Sequence, residues 1–88
     1  MITEIVSFNR TPGMDRDEMV RDAAGTFDRW TDFPGLVRKM FVRDPDTLVT
    51  KGIYLWESLE DADKGHDAAW LERAEAHWGN RPTLERYD

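Results

Sequence analysis

The residues with the most chemistry to offer in this chain are two histidines, a strand-terminal asparagine and four tryptophans. His66 and His77 are eleven positions apart. At about 100° per residue, an unbroken helix would place them within about 20° of each other. Leu59, Ala62 and Trp70 fall on the same side, so both imidazoles are expected to face inward. Their axial separation, about 16 Å, is too large for one shared metal ion. Each could instead relay a proton, bond a substrate or ligate haem. The plainer alternative is a histidine at the edge of the core, satisfied by backbone or water. Gly65 could also break the helix and spoil the alignment.

Asn9 ends the first expected strand, on the face of Thr3, Ile5 and Ser7. It is either a hydrogen-bond donor at the mouth of a cleft or a simple turn starter. Trp30, Trp56, Trp70 and Trp78 each carry about 150–250 Å² of ring surface to bury. Their first use is core packing, but a cleft lined by several would suit a flat aromatic ligand. Trp70 is four residues from His66, a neighbour on the helix surface, and is the candidate pocket wall. Phe27, Tyr54 and Trp56 are the other candidate substrate-binding rings. Arg38 and Lys39, like Tyr54, have polar tips near the middle of the sheet, for a pocket or for pairing across a dimer. The acidic run Glu57, Glu60, Asp61 and Asp63 reads as a helix start, where carboxylates favour the dipole, and no metal site is expected. There is no glycine-rich phosphate loop, no G-x-S-x-G and no H-E-x-x-H, so dinucleotide binding, serine hydrolysis and zinc proteolysis have no motif.

Composition narrows the class. Eighty-eight residues make one domain, 1–88. Such a chain buries only about 60–65% of its unfolded surface, so its core is thin unless a partner adds to it. With no cysteine there is neither disulfide nor thiolate chemistry. Twelve basic against eighteen acidic side chains give a net charge of −6. No basic block offsets it, so nucleic acid is not an expected partner. No run approaches the roughly 20 apolar residues of a membrane span, and MITEIVSF lacks a basic leader region. The expectation is a cytoplasmic protein without a membrane partner.

The elements that must position these residues follow from periodicity. Ile2 to Asn9 reads as a strand stopped by Pro12-Gly13. Asp15 and Glu18 form a capping pair, with Met14 and Met19 as a staple. Val20, Ala23, Phe27 and Trp30 make one helical stripe, weakened at Gly25, and Phe33-Pro34-Gly35 ends it. Leu36 to Arg43 and Leu48 to Glu57 form a hairpin about Asp44-Pro45-Asp46-Thr47. Ser58 caps a helix to about Trp78, ended by Gly79-Asn80 and Pro82. Thr83 to Tyr87 is a short last strand. The β-α-β-β-α-β order predicts an α+β, ferredoxin-like domain: a four-stranded antiparallel sheet with two helices on one face.

Both faces of this sheet are apolar. Val49, Ile53 and Leu55 oppose Leu48, Tyr54 and Trp56; Leu36, Met40 and Val42 oppose Val37 and Phe41; Ile2, Val6 and Phe8 oppose Ile5. Two helices can cover only one face. The other exceeds the few hundred Å² that a monomer exposes, so a homodimer is expected.

The segment Phe33-Pro34-Gly35-Leu36-Val37-Arg38-Lys39-Met40-Phe41, with Lys51-Gly52-Ile53-Tyr54-Leu55-Trp56-Glu57-Ser58, resembles the YdhR-like mono-oxygenases, relatives of the antibiotic-biosynthesis mono-oxygenases. The resemblance implies a dimeric α/β barrel with a helix–sheet cleft in each subunit. In such relatives the cleft oxygenates aromatic substrates without metal or flavin, or binds and degrades haem. For the first activity Asn9 would stabilise an enolate oxygen, His66 or His77 would relay the proton, and Trp70 would wall the pocket. The haem-degrading relatives use an Asn, a Trp and a His, parts that Asn9, Trp70 and His77 could take, although Trp70 and His77 stand closer in sequence here. The expectation is therefore a cofactor-independent mono-oxygenase acting on a small aromatic substrate. The alternatives are a dimer that binds haem or a small apolar ligand without turnover, and a structural or regulatory dimer with a filled cleft.

Overall fold

The computed structural model of the chain describes residues 1–8, 15–47 and 49–88. Asn9, the Pro12-Gly13 turn, Met14, Leu48 and the side chain of Ala23 lie outside the described residues. Strand β1 (Ile2–Phe8) leads to helices α1 (Arg16–Ala24) and α2 (Phe27–Trp30). The hairpin β2 (Leu36–Arg43) and β3 (Thr50–Trp56) follows, then α3 (Leu59–Gly65), α4 (Ala68–Trp78) and β4 (Thr83–Tyr87). The sheet order is β2-β3-β1-β4, with every neighbouring pair antiparallel. This is the expected ferredoxin-like plan.

Strand parity sorts the two layers. On β1, Glu4, Val6 and Phe8 are buried while Thr3, Ile5 and Ser7 are partly exposed; on β3, Thr50, Gly52, Tyr54 and Trp56 are buried. The helices cover this face, contributing Trp30, Ala62, Trp70 and Ala74 to the core. Large aromatics carry most of the burial. At about 25 cal/mol per Å², a buried tryptophan contributes roughly 4–6 kcal/mol gross, which matters in so short a chain.

Two expected helices are each divided. The first breaks at Gly25 into α1 and α2. Its start is as expected, the Glu18 N–H donating to Asp15 Oδ1 at 2.8 Å. The second is not continuous to Trp78, and the break has a packing cause. A Cβ on Gly65 would overlap the Trp56 indole, so only glycine lets α3 settle on that ring. His66 then leaves the helical region, at φ −117° and ψ 67°, and Asp67 caps a new helix through the Trp70 N–H, 2.8 Å away. The Arg29 guanidinium fastens the break by donating to the Gly65 carbonyl at 2.6 Å.

The second strand also departs from simple alternation. A bulge between Leu36 and Arg38 turns Leu36 to the helix side, in register with Trp56, rather than with Met40 and Val42 as alternation predicts. Lys39 pairs with Tyr54 and Phe41 with Gly52, so both lie on the helix side, while Arg38 and Met40 fall on the outer face. The hairpin turn is closed by Asp44, whose Oδ1 accepts the N–H groups of Asp46 (2.8 Å) and Thr47 (3.1 Å). No helix among the described residues is long and apolar enough to cross a membrane.

Candidate functional site

A buried carboxylate organises the centre of the helix–sheet interface. Parity places Glu4 on the inner face of β1, and its side chain is completely buried. An isolated carboxylate there would cost several kcal/mol, so it needs donors, and it has three. Trp56 Nε1–H donates to Oε1 at 3.0 Å, and Arg86 Nε–H donates to Oε2 at 2.7 Å. The third donor is His66 Nδ1, 2.5 Å from Oε1. Arg86 faces Glu4 directly across the β1–β4 ladder and also pairs with Asp63. Burial alone would raise the Glu4 carboxyl, but the hydrogen bond from His66 and those from Arg86 and Trp56 outweigh it and hold the group below its ordinary value.

His66 is the complementary half. Burial pulls its pKa below the ordinary value against the pull of Glu4, and we therefore assign it as neutral. A carboxylate can only accept, so the ring proton sits on Nδ1. Nε2 is left with a lone pair and, among the described residues, no hydrogen-bond partner, although it is buried. Three rings surround the imidazole: Trp70 at 4.4 Å, Tyr54 at 4.5 Å and Trp30 at 4.9 Å between centroids. A carboxylate-oriented imidazole with a free Nε2 is poised to accept a proton. Burial pushes the Tyr54 phenol up, so it stays neutral and acts as a wall.

The other expected residues are distributed unevenly. Trp70 stands against His66, and Trp56 is bonded to Glu4. Phe27, 54% exposed, stands outside this centre. His77 is at the surface of α4, its Nε2 2.8 Å from Asp22 Oδ1. The two histidines do not share a face, because the α3–α4 break removes the continuous 100° progression. Asn9 lies outside the described residues. Glu4 and Arg86 were missed. The visible signal for Glu4 was its parity, an acidic residue in step with Val6 and Phe8. Arg86 becomes recognisable only once β4 is placed beside β1.

Between these rings little room remains. The cleft bounded by Phe8, Trp30, Tyr54, Trp70 and Trp78 keeps a cavity of about 10 Å³, about one water. On the helix side a recess of about 330 Å³ opens between α1 and α4, rimmed by Arg21 and Arg73. It shares Trp70, Trp78 and Thr26 with the inner cleft. Among the described residues no group of three or more His, Asp or Glu side chains gathers as a metal site.

This architecture is shared with solved structures. The chain has the fold of the antibiotic biosynthesis monooxygenases. A Bordetella bronchiseptica protein named as a candidate member of that group superposes with TM-score 0.75 at 15% identity, over 99% of this chain and 94% of that one. A monooxygenase of Streptomyces coelicolor, in complex with the ligand nanaomycin D, gives TM-score 0.72 at 19% identity, over 98% and 84% of the two chains. A Nitrosomonas europaea protein, also named as a candidate antibiotic biosynthesis monooxygenase, gives 0.71 at 18%, over 100% and 97%. No protein-family model and no curated protein matches the sequence. At these identities the likeness establishes the fold.

Proposed function

We propose that the chain is a mono-oxygenase that oxidises a small electron-rich aromatic in the helix–sheet cleft, with dioxygen as the oxidant and His66 as the base. The observation that carries this reading is the buried His66 Nε2, free of a partner among the described residues while Nδ1 is held by Glu4. A ring methylene flanked by a carbonyl, as in an anthrone, is a suitable substrate. His66 Nε2 takes one C–H proton, and the carbanion forms a C–O bond with dioxygen. The resulting peroxide receives the proton back from the imidazolium. Loss of the second C–H proton with cleavage of the O–O bond then gives a carbonyl and one water. The carbon gives up four electrons and the two oxygen atoms take them, so no other reductant is needed. Trp70 lies between the helix-side recess and the inner cleft, and a turn of its side chain would join them for substrate. Asn9 is proposed as a donor to the enolate oxygen.

A haem reading has less support. His77 Nε2 is engaged by Asp22, and the inner cleft beside Trp30, Tyr54 and Trp70 is far smaller than a porphyrin. One observation favours a structural dimer instead: the cleft is nearly filled by aromatic side chains. Oxygen-electrode measurements with anthrones and quinols separate these readings. Substrate-dependent uptake, with quinone formed in equal amount, is expected. Uptake no faster than the spontaneous rate across the panel would favour the filled-cleft reading.

The outer face of the sheet supports a homodimer. Ile5, Met40, Val42, Ile53 and Leu55 are all partly exposed there, Met40 and Val42 to 40%, with no helix among the described residues over them. Sedimentation equilibrium at micromolar concentration should give twice the 10.3 kDa chain mass. A species of single-chain mass at that concentration would rule out the dimer.

A further inference from the structure

A second cationic and aromatic centre, around Lys39, shares Trp30 and Tyr54 with the surroundings of His66. Register with Tyr54 places Lys39 on the helix side, where its ammonium sits among four rings. Nζ is 3.8 Å from the Phe41 centroid, 5.5 Å from Phe27, and 5.7 Å from both Trp30 and Tyr54. Rings at such distances attract a cation through their π faces but offer its N–H groups no strong acceptor. Among the described residues no carboxylate comes within ion-pair distance of Lys39, although the chain carries eighteen acidic side chains. The ammonium borders a cavity of about 590 Å³ between α2 and β2, within the 300–1,000 Å³ range typical of small-molecule sites. Its walls leave apolar surface uncovered, with Phe27 54% and Val37 48% exposed.

We propose that this recess binds a planar aromatic ligand bearing an anionic oxygen, with its ring among Phe27, Phe41 and Trp30 and its charge on Lys39 Nζ. The cage supplies stacking surface, and the ammonium supplies unused donors in a partly desolvated position where a charge-assisted hydrogen bond is strong. Burial lowers the Lys39 pKa to about 8, which leaves the group mainly cationic at neutral pH. Net charge opposes anions at a distance, but screening limits that repulsion to about 8–10 Å, so the local cation decides. The recess shares Trp30 and Phe41 with the inner cleft, but the proposal does not depend on oxygen chemistry.

The test uses the whole chain and three probes: 1-naphthoate, its neutral amide, and acetate, followed by calorimetry and by amide chemical-shift mapping. Naphthoate should saturate, with the largest shifts in Thr31, Val37, Met40 and Phe41. The amide should bind at least tenfold more weakly, and acetate should not saturate. Lys39→Met should weaken naphthoate at least tenfold, whereas Lys39→Arg, which keeps the charge, should stay within about threefold. Amide spectra of both variants establish folding. Equal affinity for naphthoate and its amide would overturn the proposal. So would unchanged affinity in Lys39→Met, shifts centred elsewhere, or no saturable naphthoate binding.

Discussion

Replacing His66 by asparagine is expected to lower kcat/KM for anthrone-dependent oxygen uptake by about 10²–10⁴-fold, the usual contribution of a positioned general base. Asparagine is chosen over alanine because its side-chain amide can still donate to Glu4, in place of Nδ1–H. Glu4 then keeps three donors, and the change removes mainly the Nε2 lone pair. Thermal stability should therefore change much less than activity. The pH profile gives an independent check. The His66 pKa is lowered from 6.5, so the active, neutral form dominates above that value. The wild-type rate should fall on the acid side, with its midpoint below pH 6.5. The residual rate of His66→Asn should lack this limb. Loss of activity with an unaltered acid limb would show that another group supplies the base. Full activity in His66→Asn would remove His66 from the mechanism.

Most of the fold was legible in the sequence because its signals are local. Alternating apolar residues define β1, β2 and β3, and Asp15, Ser58 and Gly79 mark helix ends through capping that operates over three or four residues. Ser58 illustrates the limit. It accepts the Asp61 N–H at 3.2 Å, as its type predicts, but its own hydroxyl donates to the Asp61 carboxylate at 2.9 Å. The divided second helix was not legible. Glycine before His66 warned of a break, but the cause is the Trp56 ring beneath it, nine positions away in sequence and on another element. Nor was the β2 bulge legible, which brings Leu36 to the side of the sheet that holds Lys39 and Phe41.

The candidate centre was half legible for a related reason. His66, Trp70 and Tyr54 stand out by residue type, and the structure brings their rings together. Glu4 was hidden in a short strand read for its apolar residues, and Arg86 in the short last strand. Yet these two determine what His66 can do. The carboxylate fixes the proton on Nδ1, and Arg86, 24% exposed at the rim, adds to the hydrogen bond from His66 in keeping that carboxylate ionised inside the core. Burial works against Glu4 and against a charged His66 alike, so the arrangement that survives is an ionised acid beside a neutral imidazole.

Glu4→Gln should therefore be among the most costly single changes in the chain, about 3–5 kcal/mol in urea melts, the range for breaking a buried charge pair. Glutamine matches the shape, and its carbonyl can still accept from His66 and Trp56. Its NH₂ group, however, would face the Arg86 guanidinium, donor against donor, and the negative charge is gone. Asp63→Asn serves as the control. Asp63 also pairs with Arg86 but is 59% exposed, so its loss should cost no more than about 1 kcal/mol. If the two substitutions cost the same, Glu4 does not hold the centre together. Acid adds a second test. Between the lowered His66 value and 6.5 the unfolded chain binds more protons than the folded one, so stability falls as pH drops through that window. The Glu4 contribution is fully present above 4.5, its ordinary value, and is lost as pH falls through its lower folded value. The gap in stability between wild type and Glu4→Gln should therefore be widest above pH 4.5 and narrow below it. A gap that stays constant down to pH 3 would mean that the carboxylate is not held ionised in the fold.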